Sequence, residues 1–169
     1  TAPAAAPPRN RFVDATLLFA PMVPVDRAAT YLGLGYAGTL AITALPFERD
    51  LLGFGLVARA ILSQATGSAA SARTLLVPVG LTARVASAPS PVGTYFRLAL
   101  GGSIFQLSNE VLGEFTKIVP YGSAELGMTV EFGALGLVAS VAFEAYLENL
   151  QTSSLLLGFA PGLGVSLSL

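Results

Sequence analysis

The stretch from Ser153 to Leu169 constrains the fold most. Its odd positions Leu155, Leu157, Phe159, Pro161, Leu163, Val165, Leu167 and Leu169 are apolar. The interleaved positions are Leu156, Gly158, Ala160, Gly162, Gly164, Ser166 and Ser168, all but the first small or weakly polar. A two-residue period sends the two sets to opposite faces of a β-strand. One face suits an apolar solvent. The other is small enough to crowd a narrow interior.

The same period recurs over residues 11–25, 29–45, 51–63, 74–86, 94–105, 117–132 and 135–147. The outward sets are Val13 to Val25 by twos, Leu32 to Ile42, Leu52 to Leu62, Leu75 to Val85, Phe96 to Ile104, Ile118 to Phe132 and Leu135 to Leu147. Each segment reaches the roughly 9–11 residues that a tilted membrane strand needs. Backbone facing lipid must be hydrogen-bonded internally, which demands a closed sheet. The predicted fold is therefore all-β, an eight-stranded antiparallel up-and-down transmembrane β-barrel over residues 11–169. Residues 1–10, with Pro3, Pro7 and Pro8, are predicted to be a flexible N-terminal tail. The lack of a basic start or apolar core there leads us to expect a mature chain whose signal peptide has been removed.

An even strand number brings both termini to one end, expected to be periplasmic. Turns are predicted there at 46–50, 87–93 and 133–134. The opposite connections fall near 26–28, 64–73, 106–116 and 149–152, with 108–116 the longest polar loop. Pro21, Pro24, Pro78, Pro120 and Pro161 interrupt predicted strands, and proline cannot donate to a ladder. Pro21, Pro24 and Pro161 all fall where the first and last strands meet. The weakest pairing is expected at that seam, over 18–25 and 158–163. Residues 11–25 have a second reading, as a lumen plug.

Composition supports a membrane location. The chain is 53% hydrophobic and 11% charged, against roughly 25% charged for a soluble domain, and its mean hydropathy is +0.70. Two uncharged runs, Ala28–Phe47 and Leu150–Leu169, are long enough for transmembrane helices. Their glycines, β-branched residues and period-two pattern speak against helix. The net charge of −1 leaves no footprint for nucleic acid. The chain has no Cys, hence no disulfide, and no His, hence no usual general base or metal ligand. No cofactor and no enzymatic activity are expected. Glu144 and Glu148 are four apart on one strand, roughly 13 Å at about 3.3 Å per residue, too far to share a proton.

The inward charges are the candidate constellation. Arg59, Arg84 and Arg97 fall on the third to fifth strands, and Glu125, Glu131, Glu144 and Glu148 on the sixth and seventh. Arg84, Arg97 and Glu131 are expected toward the periplasmic end with Asp14 nearby. Arg59, Glu125, Glu144 and Glu148 are expected nearer the middle and outer end. An interior just wide enough for side chains brings the basic and acidic walls together. They read either as a salt-bridged core or as a gate along a narrow polar path. Phe54, Phe96 and Phe132 face out near periplasmic strand ends, where an interfacial aromatic belt is expected. Ala58, Ala60, Pro120, Gly122 and Ala124 are small outward residues that let another surface approach.

The pattern from Arg11 to Leu169 resembles the eight-stranded bacterial outer-membrane barrels of the OmpA/OmpX/OmpW type. The run Gly162-Leu163-Gly164-Val165-Ser166-Leu167-Ser168-Leu169 is similar to the terminal signal read by the barrel-assembly machinery, closing on Leu169 where that signal usually has an aromatic. The resemblance implies the bacterial outer membrane, the lipid bilayer and the assembly machinery as partners, and a non-enzymatic role. That role is structural in the envelope, with docking on a partner protein. The alternative is a narrow conduit for small or apolar solutes.

Overall fold

The computed structural model describes residues 12–25, 32–46, 52–66, 71–87, 92–109, 113–149 and 154–169. They form β1 (Val13–Val25), β2 (Gly35–Ala44), β3 (Leu52–Thr66), β4 (Ser71–Ala86), β5 (Val92–Asn109), β6 (Gly113–Phe132), β7 (Leu135–Asn149) and β8 (Ser154–Ser168). Each strand pairs antiparallel with the next, and β8 returns to β1, closing an eight-stranded barrel. No helix occurs among the described residues. The predicted tail at 1–10 lies outside them, as does most of the predicted turn at 46–50.

The first and last described residues meet at one end of the barrel. The Phe12 and Val13 amides donate to the Leu169 carbonyl at 2.8 and 3.1 Å, and the Leu45 amide donates to the Phe12 carbonyl at 2.9 Å. We call this the terminal end and the opposite one the far end. The strands are staggered. A circuit of cross-strand partners starting at Asp14 passes Thr43, Gly55, Thr82, Ala99, Ser123, Glu144 and Gly158, and re-enters β1 at Pro24, ten residues further along. Strands tilted by such a stagger enclose an interior that side chains can fill.

The alternation in the sequence is the alternation in burial. On β2, Ala37, Thr39, Ala41 and Thr43 are buried, while Tyr36, Leu40 and Ile42 are exposed. Outward Leu81, Leu100, Ile118 and Leu163 are 71–80% exposed, a surface that requires an apolar solvent. Inside, the two halves differ. Toward the far end, Met22, Leu32, Ile61, Leu76, Phe105, Val119, Tyr121, Tyr146 and Leu156 form one buried apolar cluster. Toward the terminal end, inward positions carry Asp14, Thr16, Thr43, Thr82, Arg97, Glu125, Thr129 and Ser166, all buried.

Several expectations need correcting. Residues 13–25 are a full strand paired with β2 and β8, so β1 is no plug. Leu32 is not outward but 3% exposed, because β2 starts only at Gly35 and strand parity does not reach back to Leu32. The connection predicted near 26–28 lies outside the described residues. The polar loop at 108–116 is mostly sheet: β5 runs to Asn109 and β6 starts at Gly113. Gln106, Ser108, Glu114 and Thr116 mark the edge of the apolar exterior, beyond which water solvates side chains while the backbone ladder continues. For the same reason most of 64–73 is strand: β3 runs to Thr66 and β4 starts at Ser71. The tight turn at Gly133-Ala134 is present, with Gly133 at φ +76°, a backbone state that favours glycine.

Prolines coincide with breaks in the ladder. The β1–β8 pairing is interrupted between Phe19↔Leu163 and Val23↔Phe159, where Pro21 and Pro161 occupy the facing middle positions. The β3–β4 pairing is interrupted between Ala58↔Val79 and Ile61↔Leu76, where Pro78 faces Arg59. The β6–β7 ladder stops at Tyr121↔Tyr146, with Pro120 next.

Candidate functional site

Among the described residues, three ion-paired groups line the interior. The one nearest the terminal end begins with Arg84 on β4 and Arg97 on β5, direct cross-strand partners. The Arg84 Nη1 pairs with Asp14 Oδ2 of β1. The Arg97 Nη1 lies 3.4 Å from Glu125 Oε2 of β6, its cross-strand partner on the other side. The Tyr95 hydroxyl donates to the second Glu125 oxygen, Oε1. The Tyr95 ring serves both cations, with Arg84 Cζ at 4.8 Å and Arg97 Cζ at 5.2 Å from its centroid. Gly127, opposite Tyr95 on β6, leaves room for the ring: a Cβ at Gly127 would collide with the ring and its hydroxyl.

The second group sits deeper in the barrel. Arg59 on β3 reaches across the lumen to Glu144 on β7, the two side chains 4% and 0% exposed. The Tyr146 hydroxyl donates to the other Glu144 oxygen at 2.5 Å. The Tyr121 ring lies 5.3 Å from that of Tyr146. The first two groups share a plan: an arginine and a tyrosine hydroxyl each take one oxygen of a buried glutamate. Two charge-assisted contacts per carboxylate offset the cost of burying it.

The third group is at the far-end mouth. The Lys117 Nζ donates to Glu148 Oε1 and to the Glu148 carbonyl, both at 3.2 Å. It also lies 5.3 Å from the ring centroids of Phe105 and Phe115. Glu131 lies at the terminal end of β6, half-buried opposite Gly136.

The structure thus joins Arg84 to Asp14, Arg97 to Glu125 and Arg59 to Glu144. Glu125 stands level with Arg97, not higher with Glu144 as the sequence reading sorted it, because the stagger shifts each strand relative to its neighbour. Lys117 and Tyr95 are absent from the candidate constellation, although period-two parity alone places both inward. Phe54, Phe96 and Phe132 are 50%, 39% and 64% exposed on the outer surface, and Phe12, just before β1, is 69% exposed. The small outward residues divide into two patches, because Ala58 and Ala60 on β3 are separated from Pro120, Gly122 and Ala124 on β6 by two strands. On the second patch, Gly102 faces Pro120 and Leu100 faces Gly122.

No family model and no curated protein matches the chain. Among solved structures it is similar to Neisserial surface protein A (NspA), with a TM-score of 0.63 at 12% identity, covering 94% of this chain and 96% of that one. The fold is that of the small outer-membrane β-barrels. Ail, the attachment invasion locus protein of Yersinia pestis, in complex with the heparin analogue sucrose octasulfate, gives a TM-score of 0.48 at 10% identity, covering 92% of this chain and 96% of that one.

The interior of this barrel holds charges already committed to one another. Its charged and phenolic groups are guanidinium, ammonium, carboxylate and phenol, with no imidazole and no thiol anywhere in the chain. Such a set fixes geometry and neutralises buried charge.

Proposed function

We propose that the chain is a non-enzymatic integral barrel of the bacterial outer membrane, with a structural role in the envelope. The observation that carries this reading is the filled lumen. Met22, Ile61, Leu76, Phe105, Val119 and Leu156 are each at most 3% exposed, and they close the far half over the ion-paired half. Small solutes need a continuous wet path, and an apolar plug backed by paired charges opposes one. The apolar exterior and the aromatic rings toward the terminal end support the bilayer as solvent. The apolar outward face of β8, with Leu163, Val165 and Leu167, supports recognition by the barrel-assembly machinery.

Purified barrel in planar lipid bilayers should give no discrete conductance steps. Steady conductance from the intact chain would overturn this reading in favour of the narrow conduit.

Docking on an envelope partner is supported by the second small-residue patch. Gly102, Pro120 and Gly122 make a shallow outward hollow flanked by Leu100 and Ile118, 74% and 80% exposed. Small residues allow close approach within a membrane. Copurification from native membranes in mild detergent, compared with a Gly122→Leu variant, tests it. A partner that stays bound to the variant excludes this patch.

A further inference from the structure

One groove on the exterior is used by none of the groups described above. It lies toward the far end across β2 to β5 and measures about 420 Å³. The register builds it from two rows. In the first, Tyr36, Leu62, Leu75 and Gln106 are successive cross-strand partners. In the second, one outward position further along, Gln64 faces Arg73 and Arg73 faces Ser108. Tyr36 and Leu62 are 73% and 63% exposed. The groove therefore straddles a boundary, with apolar surface on one side and amide, hydroxyl and guanidinium groups on the other.

Arg73 differs from the other described cations. Arg59, Arg84, Arg97 and Lys117 each hold a carboxylate. Among the described residues, Arg73 is exposed and has no carboxylate partner. The acid in its row, Glu114, stands two strands away and makes a 3.3 Å hydrogen bond with the Ser108 hydroxyl. A chain that pairs its other described cations leaves this one at the rim of its apolar surface, facing outward.

We propose that this groove seats one anionic membrane lipid. Its acyl chain lies along the Leu62 and Leu75 row, and its phosphate meets Arg73 with Gln64 and Ser108 beside it. Guanidinium presents a planar set of donors that matches phosphate oxygens, and the apolar row accepts the chain attached to that head. The inference rests on the membrane reading above and deepens it by naming a lipid class.

The test is native mass spectrometry of the full chain, released from nanodiscs of phosphatidylcholine containing phosphatidylglycerol. One phosphatidylglycerol should remain bound in preference to phosphatidylcholine. Arg73→Gln should lower that retention about fivefold, the equivalent of about 1 kcal/mol for one basic residue at an anionic surface. Arg73→Lys should recover part of it, and Glu114→Gln should not reduce it. Equal retention by the native chain and Arg73→Gln overturns the proposal. So does binding of inorganic phosphate as tight as that of the lipid, which would remove any role for the acyl chain. A dimer that depends on Arg73 would put a second copy in the groove and likewise overturn it. A chain that does not enter the nanodisc as heat-resistant β-structure would overturn the membrane reading itself, and the lipid seat with it.

Discussion

Arg84 and Arg97 stand directly opposite each other across the β4–β5 ladder, both on the inward face. Like charges so placed destabilise a sheet. Here each is drawn toward a different strand, Arg84 to Asp14 on β1 and Arg97 to Glu125 on β6, and the Tyr95 ring lies against both. The arrangement holds only while every member is present.

The first prediction follows from that dependence. Arg97→Met leaves Glu125, which is 3% exposed, with a buried charge and one phenol donor. Breaking a buried pair from one side costs about 3 kcal/mol. The double variant Arg97→Met/Glu125→Gln removes the stranded charge and should regain part of that loss. Urea unfolding in lipid vesicles, followed by circular dichroism, measures both. A double variant less stable than Arg97→Met would refute the pairing argument.

Gly127 gives a second, local test. A methyl group there has no space beside Tyr95. Gly127→Ala should therefore destabilise the barrel by about 1–3 kcal/mol, the usual cost of overpacking a filled interior. Tyr95→Leu in the same chain should relieve the clash, though it removes a donor from Glu125. An alanine variant as stable as the native chain would mean that Tyr95 does not lie over Gly127.

Strand positions, facing and closure were legible from period-two alternation because each strand divides a greasy exterior from a crowded interior. Tyr36 and Thr39 lie three positions apart on β2, and burial separates them completely. Strand ends were less legible. Gln106 and Glu114 read as loop, since polarity marks the end of the apolar solvent and not the end of the ladder. The heights of the interior charges were only partly legible. Glu125 meets Arg97 because the β5–β6 register makes them direct cross-strand partners, and that register depends on ladder extending into the polar stretch that reads as loop. The apolar far half of the lumen was obscured for a related reason: Ile61 and Leu76 sit at inward positions in strands that are hydrophobic on both faces.

The seam carries a third prediction. Pro21 and Pro161 face each other in the gap of the β1–β8 ladder, and neither can donate a hydrogen bond. Amide exchange over residues 20–22 and 160–162 should be faster than in the uninterrupted β5–β6 ladder around Leu98 and Ala124. The β3–β4 gap beside Pro78 should show the same effect. Uniform protection around the barrel would refute it.

A fourth prediction concerns the barrel as a membrane object. In detergent the chain should show β-type circular dichroism, and unboiled samples should migrate differently from boiled ones on a denaturing gel. Closure leaves no free edge from which unfolding can start. Identical migration, or a helical spectrum, would contradict the fold.

The ion pairs that cross the lumen also have a mechanical meaning. A thin-walled tube yields most easily by flattening into an oval. β3 and β7 lie on opposite sides of the eight-strand ring, and Arg59–Glu144 links them. Arg84–Asp14 links β4 to β1 along a different chord. Two braces at different bearings resist flattening in both directions, so a bilayer under lateral pressure presses on a cross-section held round from within.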